Sequence, residues 1–234
     1  MMTDAHCHVV RGASRHFLCD PCDTSSLDIG DVRFVGTHPW LHETFDADAL
    51  RMRLVANPRL GVGEIGLDRL RTREMPQHMR EVFEAQLEIA AEFRRPVALH
   101  GAKCWGEVVK AIKAAWRRIA GESAGRGFAA FLFHGFSRSD GLLPDIVALN
   151  GYVSIGPAIL NDHAVNYREL ARKIPADRLL VESDATAATA VSVPSVEDVA
   201  VKLAELRDTP AETMAAQLEA NADAFAGCLL RRSV

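Results

Sequence analysis

Read for its alternation of apolar and polar positions, the chain opens on Thr3-Asp4-Ala5-His6-Cys7-His8-Val9, where every second residue is an acid or a histidine and the residues between are small or apolar. Successive side chains of a β-strand face opposite ways, so this spacing predicts a strand with Asp4, His6 and His8 on one face and Ala5, Cys7 and Val9 on the other. Short runs rich in Val, Ile, Leu and Phe recur at 34–37, 60–65, 96–100, 129–134, 152–155 and 179–182. Each has the length and composition of a buried parallel strand. A weaker run at 15–19 brings the expected number of strands to eight.

Between most of these runs the period changes from two to between three and four. Met79, Val82, Phe83, Leu87 and Ala90 form one such stripe, and Trp105, Val108, Val109, Ile112, Trp116 and Ile119 another. Both predict helices packed on a core. After the last strand, residues 195–206 and 210–225 read as two closing helices, with Thr209 as N-cap and Pro210 at the first helical position. Strand-helix alternation implies a parallel sheet, and eight units without a break in composition predict a single-domain (β/α)8 barrel of the TIM type over residues 1–234. A doubly wound open sheet is the structural alternative. Only 12 residues separate Cys19 from Val32, too few for a strand-to-strand crossover with a full helix, so the second βα unit is expected to be shortened.

Composition narrows the class. At 234 residues, 48% hydrophobic and 25% charged, the chain can bury a large core without disulfides. Its five cysteines are odd in number and scattered, which disfavours a secreted disulfide framework. Cys19-Asp20-Pro21-Cys22 is a lone CxxC with no second pair to complete a four-thiolate zinc site, and reads as two reduced thiols in a loop. No apolar run reaches membrane-spanning length and no basic-then-apolar leader opens the chain, so the expectation is a cytoplasmic protein with no membrane partner. With a net charge of −4 and no Lys/Arg block, any polyanion must be held by local charge.

The chemistry lies where the strands end. Potential metal ligands or acids close nearly every run: His6 and His8, His38 in GTHPW, Glu64 in GVGEIGLD, His100 in PVALHG, His134 in FLFHGF and Asp184 in LLVESDA. A barrel enzyme gathers its site at that face from strands distant in sequence. One histidine closing an apolar strand is commonly a packed, hydrogen-bonded side chain. So many histidines and carboxylates on one rim would leave several polar groups unpaired unless a cation joined them.

Together these motifs, with YVSIG and the late Asn221-Ala222-Asp223-Ala224-Phe225, resemble the TatD-like metal-dependent DNases of the amidohydrolase superfamily, in order and over residues 3 to about 225. The resemblance implies two divalent ions: His6, His8 and Asp184 on one, His100 and His134 on the other, Glu64 bridging. Such a donor set suits zinc, manganese, iron or magnesium. It further implies that Asp184 and Glu64 act in catalysis, with Asp184 taking a proton from the attacking water, that His38 meets a scissile phosphate, and that Asp4 orients a ligand from behind.

Two departures bear on the substrate. The family commonly reads His-x-Arg after the fifth strand, whereas this chain reads His100-Gly101-Ala102-Lys103, so Lys103 is the expected phosphate contact, a point charge in place of a guanidinium fork. After Asp184 the usual Pro and longer loop are replaced by ATAATAVSVPS, which predicts a barer cleft. The leading expectation is a DNA phosphodiesterase. A hydrolase of a small amide, lactone or phosphate ester on the same centre, and a barrel without turnover that serves as a binding partner, are the alternatives.

Overall fold

A computed structural model describes residues 2–10, 15–19, 31–71, 74–122, 127–137 and 139–230. Eight parallel strands follow in chain order: β1 (Asp4–Cys7), β2 (His16–Cys19), β3 (Val32–Val35), β4 (Leu60–Asp68), β5 (Val97–Ala102), β6 (Phe131–Phe133), β7 (Gly151–Ile155) and β8 (Leu179–Val181). Just beyond β8 the backbone N–H of Asp184 donates to the His6 carbonyl at 3.0 Å, and the N–H of His8 to the Ala185 carbonyl at 2.8 Å. These bonds bring the last strand back to the first and close the (β/α)8 barrel.

Around the strands lie α1 (Ala47–Ala56), α2 (Gln77–Glu92), α3 (Trp105–Glu122), α4 (Leu143–Ala148), α5 (Val165–Lys173), α6 (Val196–Leu206) and α7 (Ala211–Leu230). The stripe on α2 is buried throughout, and on α3 all but the half-buried Trp116 are buried. Trp105 packs on Phe133 and Phe136 at ring centroid distances of 5.5 and 5.3 Å, which accounts for it as core. Ser195 caps α6 in a reciprocal capping box with Asp198. The last helix starts one residue later than expected and runs past Phe225, and the Thr209 hydroxyl donates back to the Arg207 carbonyl at 3.0 Å. No helix among the described residues is long and apolar enough to cross a membrane. Residues 20–30, which carry the shortened second unit and Cys22 of the CxxC, lie outside the described residues.

The barrel floor explains the placement of the site. Phe34, Ala98, Leu132, Tyr152 and Leu180 belong to one buried cluster, into which α7 inserts Phe225, 5.5 Å from Phe17 and from Tyr152. Asn221, one turn earlier, donates its side-chain N–H to the Ala176 and Leu179 carbonyls and ties α7 to the base of β8. With a period of two, the next inward positions above this floor are Gly36, His100, His134, Ser154 and Glu182. Strand alternation thus lifts polar groups to the C-terminal mouth. Pairing register shifts in two places, between Asp4 and Cys7 on β1 and between Val62 and Ile65 on β4. Such irregularities re-aim side chains, and these two stretches carry His6 and Glu64.

Candidate metal centre

Glu64 sits buried in the middle of the mouth, and its two oxygens face different histidines. Oε1 lies 2.6 Å from His100 Nδ1, 2.6 Å from His134 Nε2 and 3.6 Å from His38 Nε2. Oε2 lies 3.6 Å from both His6 Nε2 and His8 Nε2. Asp184 approaches the same two imidazoles from the other side, with Oδ1 3.6 Å from His6 and 3.7 Å from His8. Donor atoms from His6, His8 and Glu64, from His6, His134 and Asp184, and from His38, Glu64 and His100 form three groups, each gathered within 4.8 Å.

A cation fits this arrangement. His6 Nε2 is buried and has no hydrogen-bond partner among the described residues, although two carboxylates face it. A buried nitrogen aimed between carboxylate oxygens at such distances is satisfied by a divalent ion binding all of them. Nitrogen and oxygen donors without thiolate suit zinc, manganese or iron, and do not select one.

The electrostatics follow from burial opposed by pairing. Burial holds the His6 imidazole well below its usual pKa, and the charge of His134 adds to this. Burial would also lower His134, but the carboxylate of Glu64 outweighs it and raises His134 to about 9. Burial would raise Glu64, yet His134 and the hydrogen bonds to His100 and His134 keep it well below the ordinary range. Burial raises Asp184, although its side chain is 53% exposed and reaches solvent.

The supporting residues differ in part from the sequence expectation. Strand β1 ends at Cys7, so His8 is held by its backbone bond to Ala185 and not by strand alternation. The Asp4 carboxylate accepts from the His6 backbone N–H at 3.4 Å, the Ser183 N–H at 2.9 Å and the Ser183 hydroxyl at 2.5 Å, and so anchors the segment that leads into Asp184. Asp184 itself adopts a left-handed backbone (φ 51°), a strained conformation for a non-glycine residue. His38 Nδ1 accepts from the Trp40 N–H at 3.1 Å. The ring proton is therefore on Nε2, facing Glu64, so His38 is a donor at the mouth although it lies at ligand distance. Burial lowers its pKa to about 4 against the pull of Glu64.

Three residues without an assigned role in the sequence belong here. Asp68 accepts from His100 Nε2 at 2.8 Å, fixing that ring with Nδ1 toward Glu64. Its place in GEIGLD, four residues after Glu64, was the available signal. Glu182 accepts from the Ser154 hydroxyl and the Gly135 N–H, at 2.5 and 2.8 Å. Burial raises it to about 7 against the opposing pull of His134. Its signal was the alternation Leu180, Glu182, Asp184. Arg71 places its guanidinium carbon 3.5 Å over the Trp40 ring, and nothing local in the sequence marked it.

Two cavities meet at Asp184. One, of about 540 Å³, is walled by His8, His38, Trp40, Arg71, His100 and Asp184 among others. The other, of about 430 Å³, lies toward Ser137, His163, Asn166, Tyr167 and Glu182. Lys103 is exposed, in a left-handed turn after β5 (φ 58°), and does not line the first cavity. Among the residues that line it, the one Lys or Arg is Arg71.

Comparison with known proteins agrees with this geometry. The sequence model of the TatD related DNase family matches residues 29–227. A metal-dependent hydrolase of Bacillus subtilis, YabD, is 28% identical over 70% of this chain and 63% of its own length. The 3'-5' ssDNA/RNA exonuclease TatD of Erwinia tasmaniensis is 32% identical over 64% of this chain and 56% of its own length. The matched stretch thus spans less than two thirds of these relatives. In fold, the chain superposes on the TatD homologue YjjV of Escherichia coli with a TM-score of 0.76 at 21% identity, covering 96% and 97% of the two chains. A TatD family hydrolase of Entamoeba histolytica superposes with a TM-score of 0.72 at 12% identity and the same coverage.

Proposed function

The chain belongs to the TatD related DNase family, and from that premise we propose that it is a metal-dependent phosphodiesterase acting on single-stranded nucleic acid. The observation that carries this reading is Glu64, whose two oxygens face His100 and His134 on one side and His6 and His8 on the other. His6, His8 and Asp184 would hold one divalent ion and His100 and His134 the other, with Glu64 shared. When bound, such ions polarise a phosphoryl oxygen and acidify water.

The protein's own groups do the rest. Asp184, partly exposed where the two cavities meet, is placed to take the proton from the attacking water. His38 offers its Nε2–H to a non-bridging phosphate oxygen. Asp4, through Ser183, and Asp68, through His100, hold Asp184 and an imidazole in place. Trp40, 44% exposed beneath the Arg71 guanidinium, offers a base-stacking face beside a phosphate-binding charge. Arg71 takes the part that the sequence reading assigned to Lys103. Relatives named as 3'-5' ssDNA/RNA exonucleases support a nucleic-acid substrate.

The test is hydrolysis of labelled single-stranded DNA and RNA by protein stripped of metal and reloaded separately with magnesium, manganese and zinc. Metal-dependent cleavage is expected, falling by roughly 10²–10⁴-fold in Asp184→Asn, whose amide cannot accept the proton. Turnover of small esters or amides with nucleic acid untouched would overturn the nucleic-acid reading and keep the hydrolase. Undiminished cleavage by both Asp184→Asn and Glu64→Gln would overturn the centre.

A further inference from the structure

Outside the cleft, the 3₁₀ segment Pro39–Thr44 meets the first turn of α2, and three donor side chains converge there. His42 Nδ1 lies 3.4 Å from Glu43 Oε1, and His78 Nε2 lies 3.9 Å from Glu43 Oε2. The two rings are 5.4 Å apart between centroids. One donor atom from each of His42, Glu43 and His78 lies within 4.8 Å of the other two. None of the six residues proposed above as ligands takes part.

The spacing discriminates between two kinds of contact. Hydrogen-bonded nitrogen and oxygen atoms sit about 2.7–3.2 Å apart. Two ligands of a tetrahedral cation with bonds of roughly 2.0–2.1 Å sit about 3.3–3.4 Å apart. The His42–Glu43 separation matches the second, and the His78–Glu43 separation is within a small side-chain adjustment of it. His78 is 49% and Glu43 78% exposed, so both can make that adjustment. A separate observation points the same way: His42 Nδ1 is buried and has no hydrogen-bond partner among the described residues. A lone pair sealed from water beside a carboxylate is costly unless something binds it. Glu81, one helical turn beyond His78, places Oε2 3.7 Å from His78 Nδ1, so a carboxylate stands behind the ring nitrogen that faces away from Glu43.

We propose that His42, Glu43 and His78 form a separate binding site for a borderline divalent cation, zinc foremost, with solvent completing the coordination. Two imidazoles and a carboxylate favour zinc over magnesium or calcium. The ion would cross-link the segment that carries His38 and Trp40 to α2. That helix already grips the start of the segment: the Thr37 N–H donates to Gln86 Oε1 at 2.7 Å, and Gln86 Nε2 donates to the Thr37 carbonyl at 3.0 Å. Zinc at the far end would fix the wall of the cleft at both ends.

The experiment is equilibrium dialysis of tag-free protein against zinc, followed by metal analysis by mass spectrometry. It is done in the Glu64→Gln/Asp184→Asn background, which removes both carboxylates from the central cluster, and is read as the change in bound zinc on adding each histidine variant. One zinc equivalent retained in that background, lost on adding His78→Ala and lost on adding His42→Ala, is the expected result. Zinc absent from the background, or retained undiminished with His78→Ala, would overturn the site. Because His78 is half exposed, its alanine variant keeps the fold, which circular dichroism verifies. X-ray absorption of the retained zinc should show two imidazoles.

Discussion

The imidazoles of His6 and His134 lie face to face, with centroids 3.7 Å apart and planes 10° from parallel, although one comes from β1 and the other from just after β6. Two such rings cannot both carry a proton in a buried site without strong repulsion. The asymmetry is set by burial and by Glu64: His6 is kept neutral, while His134 holds its proton up to about 9.

That proton must leave for His134 Nε2 to bind a cation, so metal uptake is tied to pH. The apparent affinity of the metal-stripped protein is expected to rise about tenfold per pH unit for each proton displaced, and to level off above about 9. Competition against a chelating dye at several pH values reads this directly. An affinity that does not change with pH would remove His134 from the ligands.

Cations that bind only the folded state stabilise it by mass action. At a free metal concentration ~100 times the dissociation constant the gain is about 2.7 kcal/mol, which for a domain of this size corresponds to a rise of roughly 5–10 °C in Tm. Calorimetry with and without a chelator should show that loss on stripping and its return on reloading. A Tm indifferent to chelation would contradict a cation at the centre of the barrel mouth.

At the mouth, Trp40→Ala should weaken single-strand binding by about 1–3 kcal/mol, appearing as a higher KM with little change in kcat. Arg71→Ala should weaken binding on all sequences and reduce the salt dependence of affinity by roughly one unit of slope. Lys103→Ala is the comparison: its side chain does not line the cavity, and its effect should be the smallest of the three. Steady-state kinetics at several salt concentrations separate these cases.

Gly66 pairs with His100 across β4 and β5, and a Cβ built there would stand 1.9 Å from the His100 carbonyl oxygen. Its backbone (φ 152°) is also one that side chains rarely adopt. Gly66→Ala should cost about 1–3 kcal/mol of stability or more by forcing the strands apart. It should also lower activity, because the displaced strand carries His100. Thermal melts and turnover measured together test both consequences. An alanine variant of full activity would show that His100 can move without harm.

Much of the architecture was legible because local patterns and barrel geometry share a period. Ala98, Leu132 and Leu180 build the floor, and two residues on the same alternation delivers His100, His134 and Glu182 to the mouth. The order of motifs around the barrel made His6, His8, His38, Glu64, His100, His134 and Asp184 a single rim before any coordinates, and the structure brings all seven together.

What the pattern could not carry was everything that depends on departures from regular geometry or on partners distant in sequence. Register shifts on β1 and β4 aim His6 and Glu64, and strand periodicity has no means of announcing an irregularity. Asp4 points to Ser183, 179 residues away, because closure of the barrel brings β8 beside β1. Arg71 reaches Trp40 only because two loops from neighbouring strands fold over the same mouth. Away from those two irregularities, sequence by itself determined which face a strand residue presents, since that follows from the alternation of one extended chain. Tertiary structure alone decided which faces meet, which proton each histidine holds and which cation guards the cleft, because those are set by distances between groups that the chain does not connect locally.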